Sequence, residues 1–258
     1  MIDALHLGLG AFSGVLVGFT LGLVGGGGSI LAVPLMVYLV GVKSPHIAIG
    51  TSALAVAANA ATGLLQHARD LNVRWRCGFM YAGAGIVGAL AGSTLGKNFD
   101  GQKLLFLFAL LMIVVGALML RGRKAEGTPG AACNRRNAPK VLGYGLGTGA
   151  FSGFFGIGGG FLIVPGLMAS TDMVMINAVG TSLIAVTAFG LTTAANYALS
   201  GLVDWALAAV FILGGIGGGF FGTRLAKRLS GGGQLKTVFA VLIFVVAIYM
   251  LWKSWNAL

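Results

Sequence analysis

Gly25-Gly26-Gly27-Gly28-Ser29-Ile30-Leu31-Ala32-Val33-Pro34 is the stretch that decides the fold. It interrupts an apolar run from Leu5 to Val24 and leads into a shorter one, Ser29 to Gly41. Four glycines in a row make a poor helix, because glycine loses more chain entropy on ordering than any other residue. In hydrocarbon their freed backbone groups need partners from protein, water or a ligand. The stretch therefore reads as a broken or re-entrant helix inside a membrane.

Composition sets that context. Of 258 residues, 57% are hydrophobic, 45 are glycine and only 9% are charged; mean hydropathy is +0.93. Soluble domains carry roughly 25% charged residues, so a soluble globular protein, a disordered chain and a disulfide scaffold are all excluded. What remains is an all-α polytopic membrane protein. At about 20 residues per helical span, the length allows roughly eight to ten membrane segments. The first, lacking a basic leader, reads as a retained span. The net charge of +11 does not point to nucleic acid, because the cations sit in short loops where they set topology. Cys77 and Cys133 show no metal-ligand spacing. One starts an apolar segment and the other lies in a basic loop, so no disulfide is expected.

The glycine run occurs twice. After five apolar segments (Leu5–Val24, Ser29–Gly41, His46–Gln66, Trp75–Gly96, Gln102–Leu120), a basic stretch rich in Gly, Pro, Ala and Asn reads as a linker over residues 121–140. Then the pattern restarts. A shift of about 131 places Gly18, Gly22, Gly25, Gly27, Gly28, Leu31, Val33 and Pro34 on Gly149, Gly153, Gly156, Gly158, Gly159, Leu162, Val164 and Pro165. Further on, a shift of 130 places Gly50-Thr51-Ser52 on Gly180-Thr181-Ser182, and Trp75, Gly85, Gly88, Gly92 and Lys97 on Trp205, Gly215, Gly218, Gly222 and Lys227. About a third of positions from Ala48 to Lys97 are identical. Residues 1–120 and 141–258 read as homologous repeats.

An odd number of spans per repeat inverts the second relative to the first. Arg69, Arg74, Arg76, the linker, Arg224, Lys227, Arg228 and Lys236 then share one side, against Lys43, Lys97, Lys103 and Lys253 on the other. That is 13 cations against 4. The excess places the linker in the cytoplasm.

Three features carry chemistry. A short helix is expected to begin after each break, at Ser29 and Phe161, with Ser29 as its N-cap. Two such N-termini near the midplane would hold an anion on backbone N–H groups; the plainer reading is that the glycines only permit close helix crossing. Second, Ser52, Ala55, Asn59, Thr62 and Gln66 share one helix face, repeated as Ser182, Ala185, Phe189, Thr192 and Asn196. That polar face should turn inward. Third, Asp3, Asp70, Asp100, Glu126, Asp172 and Asp204 all fall at loops or segment ends. A cation pathway usually needs a carboxylate within the span, so an anionic or neutral cargo is expected. His46 and His67 read as span-end residues, Arg224 as a snorkelling cation, and Trp75 and Trp205 as interface anchors. No catalytic motif and no cofactor motif occurs.

Ala150-Phe151-Ser152-Gly153-Phe154-Phe155-Gly156-Ile157-Gly158-Gly159-Gly160-Phe161-Leu162-Ile163-Val164-Pro165, then Gly180-Thr181-Ser182 and Gly201-Leu202-Val203-Asp204-Trp205, resemble the sulfite exporter (TauE/SafE) family. Gly25 to Pro34 and Gly50-Thr51-Ser52 form a degenerate copy. The first half departs at Asn72-Val73-Arg74-Trp75, which lacks the acid, and at Gly26, where the second half has Ile157. The resemblance implies a bacterial inner-membrane exporter of small sulfur oxyanions or sulfonates. Its partners would be that anion, the lipid bilayer and a second copy of the chain. The binding residues expected from the pattern are Gly27, Gly28, Ser29, Thr51, Ser52, Asn59, Gly158, Gly159, Gly160, Thr181 and Ser182. A passive anion channel and a non-transporting membrane assembly partner are the alternatives.

Overall fold

The computed structural model describes residues 4–121, 127, 128, 130, 131, 133–156, 160–229 and 234–255. They form helices in the order α1 (Ala4–Val24), a 3-10 turn (Gly25–Leu31), α2 (Ala32–Pro34) running into a π-helical turn (Leu35–Leu39), α3 (Pro45–Arg69), α4 (Trp75–Lys97), α5 (Gly101–Arg121), α6 (Ala138–Phe155), α7 (Gly160–Thr171), α8 (Met175–Ala198), α9 (Trp205–Leu229) and α10 (Gln234–Trp255). No strand occurs among the described residues. Among the described residues, five stretches are long and apolar enough to cross a membrane: Leu5–Leu39, Pro45–Arg69, Trp75–Lys97, Met175–Ala198 and Trp205–Ala226. Shorter apolar helices are Gly101–Ala117, Gly160–Thr171 and Ile243–Lys253. The chain is an all-α polytopic membrane protein.

Glycine sets the packing. Gly14, Gly18 and Gly22 lie one turn apart on α1 and face the backbone of Phe211, Gly215 and Gly219 on α9. Gly145, Gly149 and Gly153 on α6 face Tyr81, Gly85 and Ala89 on α4 in the same way. Small residues let the two backbones touch, which lipid-facing side chains could not do. The sequence shift of about 130 exchanges these two pairs, α1 with α9 and α6 with α4. Helices α3 and α8 pack on each other at the centre and are more deeply buried than α4 and α9. The outer faces carry Phe79, Val87 and Leu95 on α4, Leu213 and Phe221 on α9, and Ile248 and Trp252 on α10, all exposed. Exposed apolar belts of this kind suit lipid rather than water.

Two expectations need correction. Ser29 does not cap a new helix. It sits inside the 3-10 turn, and its hydroxyl donates to the Gly26 carbonyl at 2.8 Å. The glycine run stays wound, in the tighter i→i+3 form, rather than opening a gap in the chain. The cysteines were expected to stay apart; Cys77 and Cys133 instead form a disulfide, with Cα atoms 5.3 Å apart. The linker folds back onto the first turn of α4. There Thr128 also binds Asp172, its N–H donating to the Asp172 carbonyl at 2.7 Å and its hydroxyl to the carboxylate at 3.2 Å.

Candidate substrate site between the two glycine breaks

The breaks open with the same backbone conformation. Gly25 has φ of 65° and Gly156 has φ of 67°, the left-handed region that glycine enters without penalty. Each docks on the start of a central helix, Gly25 against Val179 of α8 and Gly156 against Ile49 of α3. The breaks then meet each other. A methyl group at Gly26 would lie 2.6 Å from the Gly160 Cα, and one at Gly160 would enter the Gly26 backbone. Ser182 fixes this junction by accepting the Gly26 N–H at 3.1 Å while donating to the Val179 carbonyl at 2.7 Å. Ser52 donates to the Ile49 carbonyl at 3.1 Å.

The Gly-Thr-Ser triplets divide their labour. Gly50 admits the carbonyl of Leu202, and Gly180 lies against Asn72. Thr51 accepts the N–H of Asp204 at 2.9 Å, and Thr181 accepts the N–H of Arg74 at 2.9 Å. Each threonine thus anchors the residue before α9 or α4, an orphan donor at a helix start. The serines serve the breaks. Thr51 and Thr181 were expected to line a pocket, and here their hydroxyls hold loops. Thr181→Val strands the Arg74 N–H and is expected to cost about 1–2 kcal/mol. Thermal denaturation in detergent should show a lower Tm that Thr181→Ser restores.

The remaining predicted residues are placed as follows. Gly28 packs on the α1 backbone at Thr20 and Leu21, and Thr20 donates to its carbonyl at 3.1 Å. Gly27 lies within the 3-10 turn and Gly160 opens α7. Gly158 and Gly159 lie outside the described residues. Asn59 is buried on α3, and both its amide atoms lack a partner among the described residues. Seven residues of helix separate it from Ser52, about 10 Å, so the breaks and Asn59 are at different depths. Thr62 and Thr192 bond the carbonyls of their own helices, Asn59 at 2.8 Å and Ala188 at 2.8 Å. Arg224 stacks on the exposed face of α9, 3.9 Å above the Phe220 ring. His67 is buried, with Nε2 3.4 Å from the Gly22 carbonyl.

One cluster escaped the sequence reading. Lys97 donates to the Asn196 side chain at 2.8 Å, to its carbonyl at 3.2 Å and to Ser200 at 2.9 Å. Asn196 in turn donates to Ser93 at 2.6 Å and Thr94 at 3.1 Å. The repeat of Lys97 and Lys227 was the available signal. Among the described residues no group of three or more His, Cys, Asp or Glu could hold a metal. The described acids flank the helices, and the breaks pack against Val179, Val186 and Ile49, with Ser182 bonded to the Gly26 N–H.

Buried polar helices, close glycine crossings and an apolar outer belt define a helical membrane protein. The TauE/SafE sulfite exporter family matches residues 10–250, and the chain belongs to that family. A protein of Xylella fastidiosa (strain 9a5c) named probable membrane transporter protein is 54% identical over 253 residues, 95% of each chain. The probable membrane transporter protein YdhB of Bacillus subtilis (strain 168) is 27% identical over 221 residues, covering 83% of this chain and 88% of its own. MJ0441 of Methanocaldococcus jannaschii, also named a probable membrane transporter protein, is 29% identical over 191 residues, 68% of each. No solved structure matches the chain.

Proposed function

We propose that this protein is a secondary transporter that exports small sulfur-containing anions, such as sulfite, thiosulfate or organosulfonates, across the bacterial inner membrane. Residues 1–120 and 141–258 act as inverted repeats that rock against each other in alternating access. The linker 121–140 is cytoplasmic, and the chain performs no catalysis. The observation that carries the reading is the meeting of the two glycine breaks at Gly26 and Gly160, pinned by Ser182. A junction of two broken helices at a repeat interface is where such transporters bind cargo. Its backbone N–H groups around Gly27 to Ser29 and Gly158 to Gly160 supply the anion donors. Ser52, Ser182 and, when the loops release them, Thr51 and Thr181 supply hydroxyls. A neutral cradle holds an anion without the permanent charge that would slow its release.

The test is ligand-dependent thermal stability of detergent-purified protein with sulfite, thiosulfate, sulfoacetate, taurine, sulfate and chloride, followed by counterflow in proteoliposomes. A ligand at 100 times its Kd stabilises the folded state by about 2.7 kcal/mol. One or two sulfur anions should raise Tm and drive saturable counterflow, with chloride inert. Unitary currents in place of counterflow would make the protein a channel. No shift and no flux with any sulfur anion would sink the cargo assignment.

A further inference from the structure

Asn59 is 3% exposed, and among the described residues neither its Nδ2 nor its Oδ1 has a hydrogen-bond partner. Both ends are unpaired, so exchanging the amide nitrogen and oxygen would not rescue either. The amide lies in the notch left by the absent side chain of Gly215 on α9. Gly18 of α1 packs on the Gly215 backbone, which a methyl there would strike.

The other half shows what the fold itself asks of this position. There Phe189 is fully buried, its ring tip fills the notch at Gly85, and its ring lies 6.5 Å from that of Tyr81 at 24°. An apolar plug therefore satisfies the packing. An unpaired donor and an unpaired acceptor in the interior oppose stability, so packing does not explain Asn59. No charged residue lies within two turns of Asn59 on α3, of Gly215 on α9 or of Gly18 on α1. The nearest titratable groups along those helices are His67, eight positions from Asn59, and Arg224, nine from Gly215. Those offsets are about 12 Å or more of helix.

We propose that Asn59 is a specificity-determining residue that selects cargo bearing a hydrogen-bond donor beside its anionic oxygens. This rests on the transporter reading above and adds a second contact, met by the anion along its path about 10 Å from the breaks. The amide NH2 donates to a sulfonyl oxygen, and the amide carbonyl accepts from an adjacent O–H or N–H. Hydrogen sulfite, sulfamate and hydroxymethanesulfonate offer both. Sulfate and methanesulfonate offer acceptors alone and leave the carbonyl facing lone pairs. A site that pairs a ligand O–H or N–H rejects the analogue lacking it more strongly than an apolar pocket rejects a missing methylene.

The experiment compares monoanions of one size class at a single pH, so that charge is held constant. Sulfamate and hydroxymethanesulfonate are titrated against methanesulfonate, with Tm and inhibition of sulfite counterflow as readouts, on the wild type and Asn59→Leu. The wild type should bind the donor-bearing pair about tenfold or more tighter. Asn59→Leu should bind all three alike, with a ligand-free Tm no lower than wild type. Asn59→Ala, which adds no bulk, serves if the leucine variant does not fold. Equal wild-type affinity for methanesulfonate, or discrimination retained in the variants, overturns the proposal while leaving the transporter reading intact. Absence of any sulfur-anion binding or flux in the wild type overturns both.

Discussion

Leucine at Gly149 is expected to take the protein apart, whereas leucine at Gly147, two residues earlier on α6, should leave it intact. A side chain at Gly149 would begin 2.6 Å from the Gly85 Cα and 2.7 Å from its carbonyl carbon. Those atoms are backbone, so no rotamer change makes room. Helix α6 would have to lift off α4 and lose the contacts at Gly145 and Gly153 as well. Overpacking a core usually costs about 1–3 kcal/mol where side chains can shift. Here nothing can, and a loss above about 4 kcal/mol is expected. Gly147 has nothing within 4 Å and faces outward. Replacing glycine there with a better helix former gains about 0.8–1 kcal/mol. Size-exclusion profiles and Tm in detergent separate the two variants. Equal behaviour would mean that α6 and α4 do not cross on this glycine row.

These contrasts show what the sequence could and could not reveal. Gly18, Gly22, Gly149 and Gly153 announced themselves through the duplication, and their one-turn spacing marks a helix face. What each touches lies about 60 or 200 residues away, and nothing local encodes it. The Gly-Thr-Ser triplets were legible as a repeat, yet their division of labour was not. Thr51 and Thr181 serve backbone N–H groups at Asp204 and Arg74, and a backbone donor leaves no mark in residue identity. Local preference alone favours Ser29 as an N-cap. In the chain the glycines keep winding as a 3-10 turn, and the serine bonds back to Gly26. Asn59 was visible because it breaks a repeat that otherwise holds. That its amide finds no partner among the described residues depends on how α9 packs against α3, which no local pattern encodes. The cysteines failed for the reason linkers generally do. Their proximity depends on a loop path that neither periodicity nor charge determines.

Breaking that cysteine pair is the second large effect expected. The bond joins residues 56 apart in sequence, closing a loop that contains most of α4 and all of α5. Disulfides stabilise by about 2–4 kcal/mol, and the helices inside this loop already restrict the unfolded chain, which holds the figure within that range. For a chain of this length, Cys77→Ser should lower Tm by roughly 5–15 °C. Dithiothreitol should produce the same fall in wild type and none in the variant, and Cys77→Ser/Cys133→Ser should be no worse than either single change. A wild-type Tm indifferent to reductant would show that the pair is not bonded. The bond also bears on orientation. The excess of cations on the linker side favours the cytoplasm, where glutathione and thioredoxin keep thiols reduced. A cytoplasmic linker therefore predicts two alkylatable cysteines when growing cells are quenched with N-ethylmaleimide, and a closed pair after purification in air. A pair already closed in those cells would require an oxidising compartment. It would place residues 121–140 on the periplasmic face and reverse the proposed orientation of both repeats, with the charge asymmetry then left to act against the rule that usually governs it.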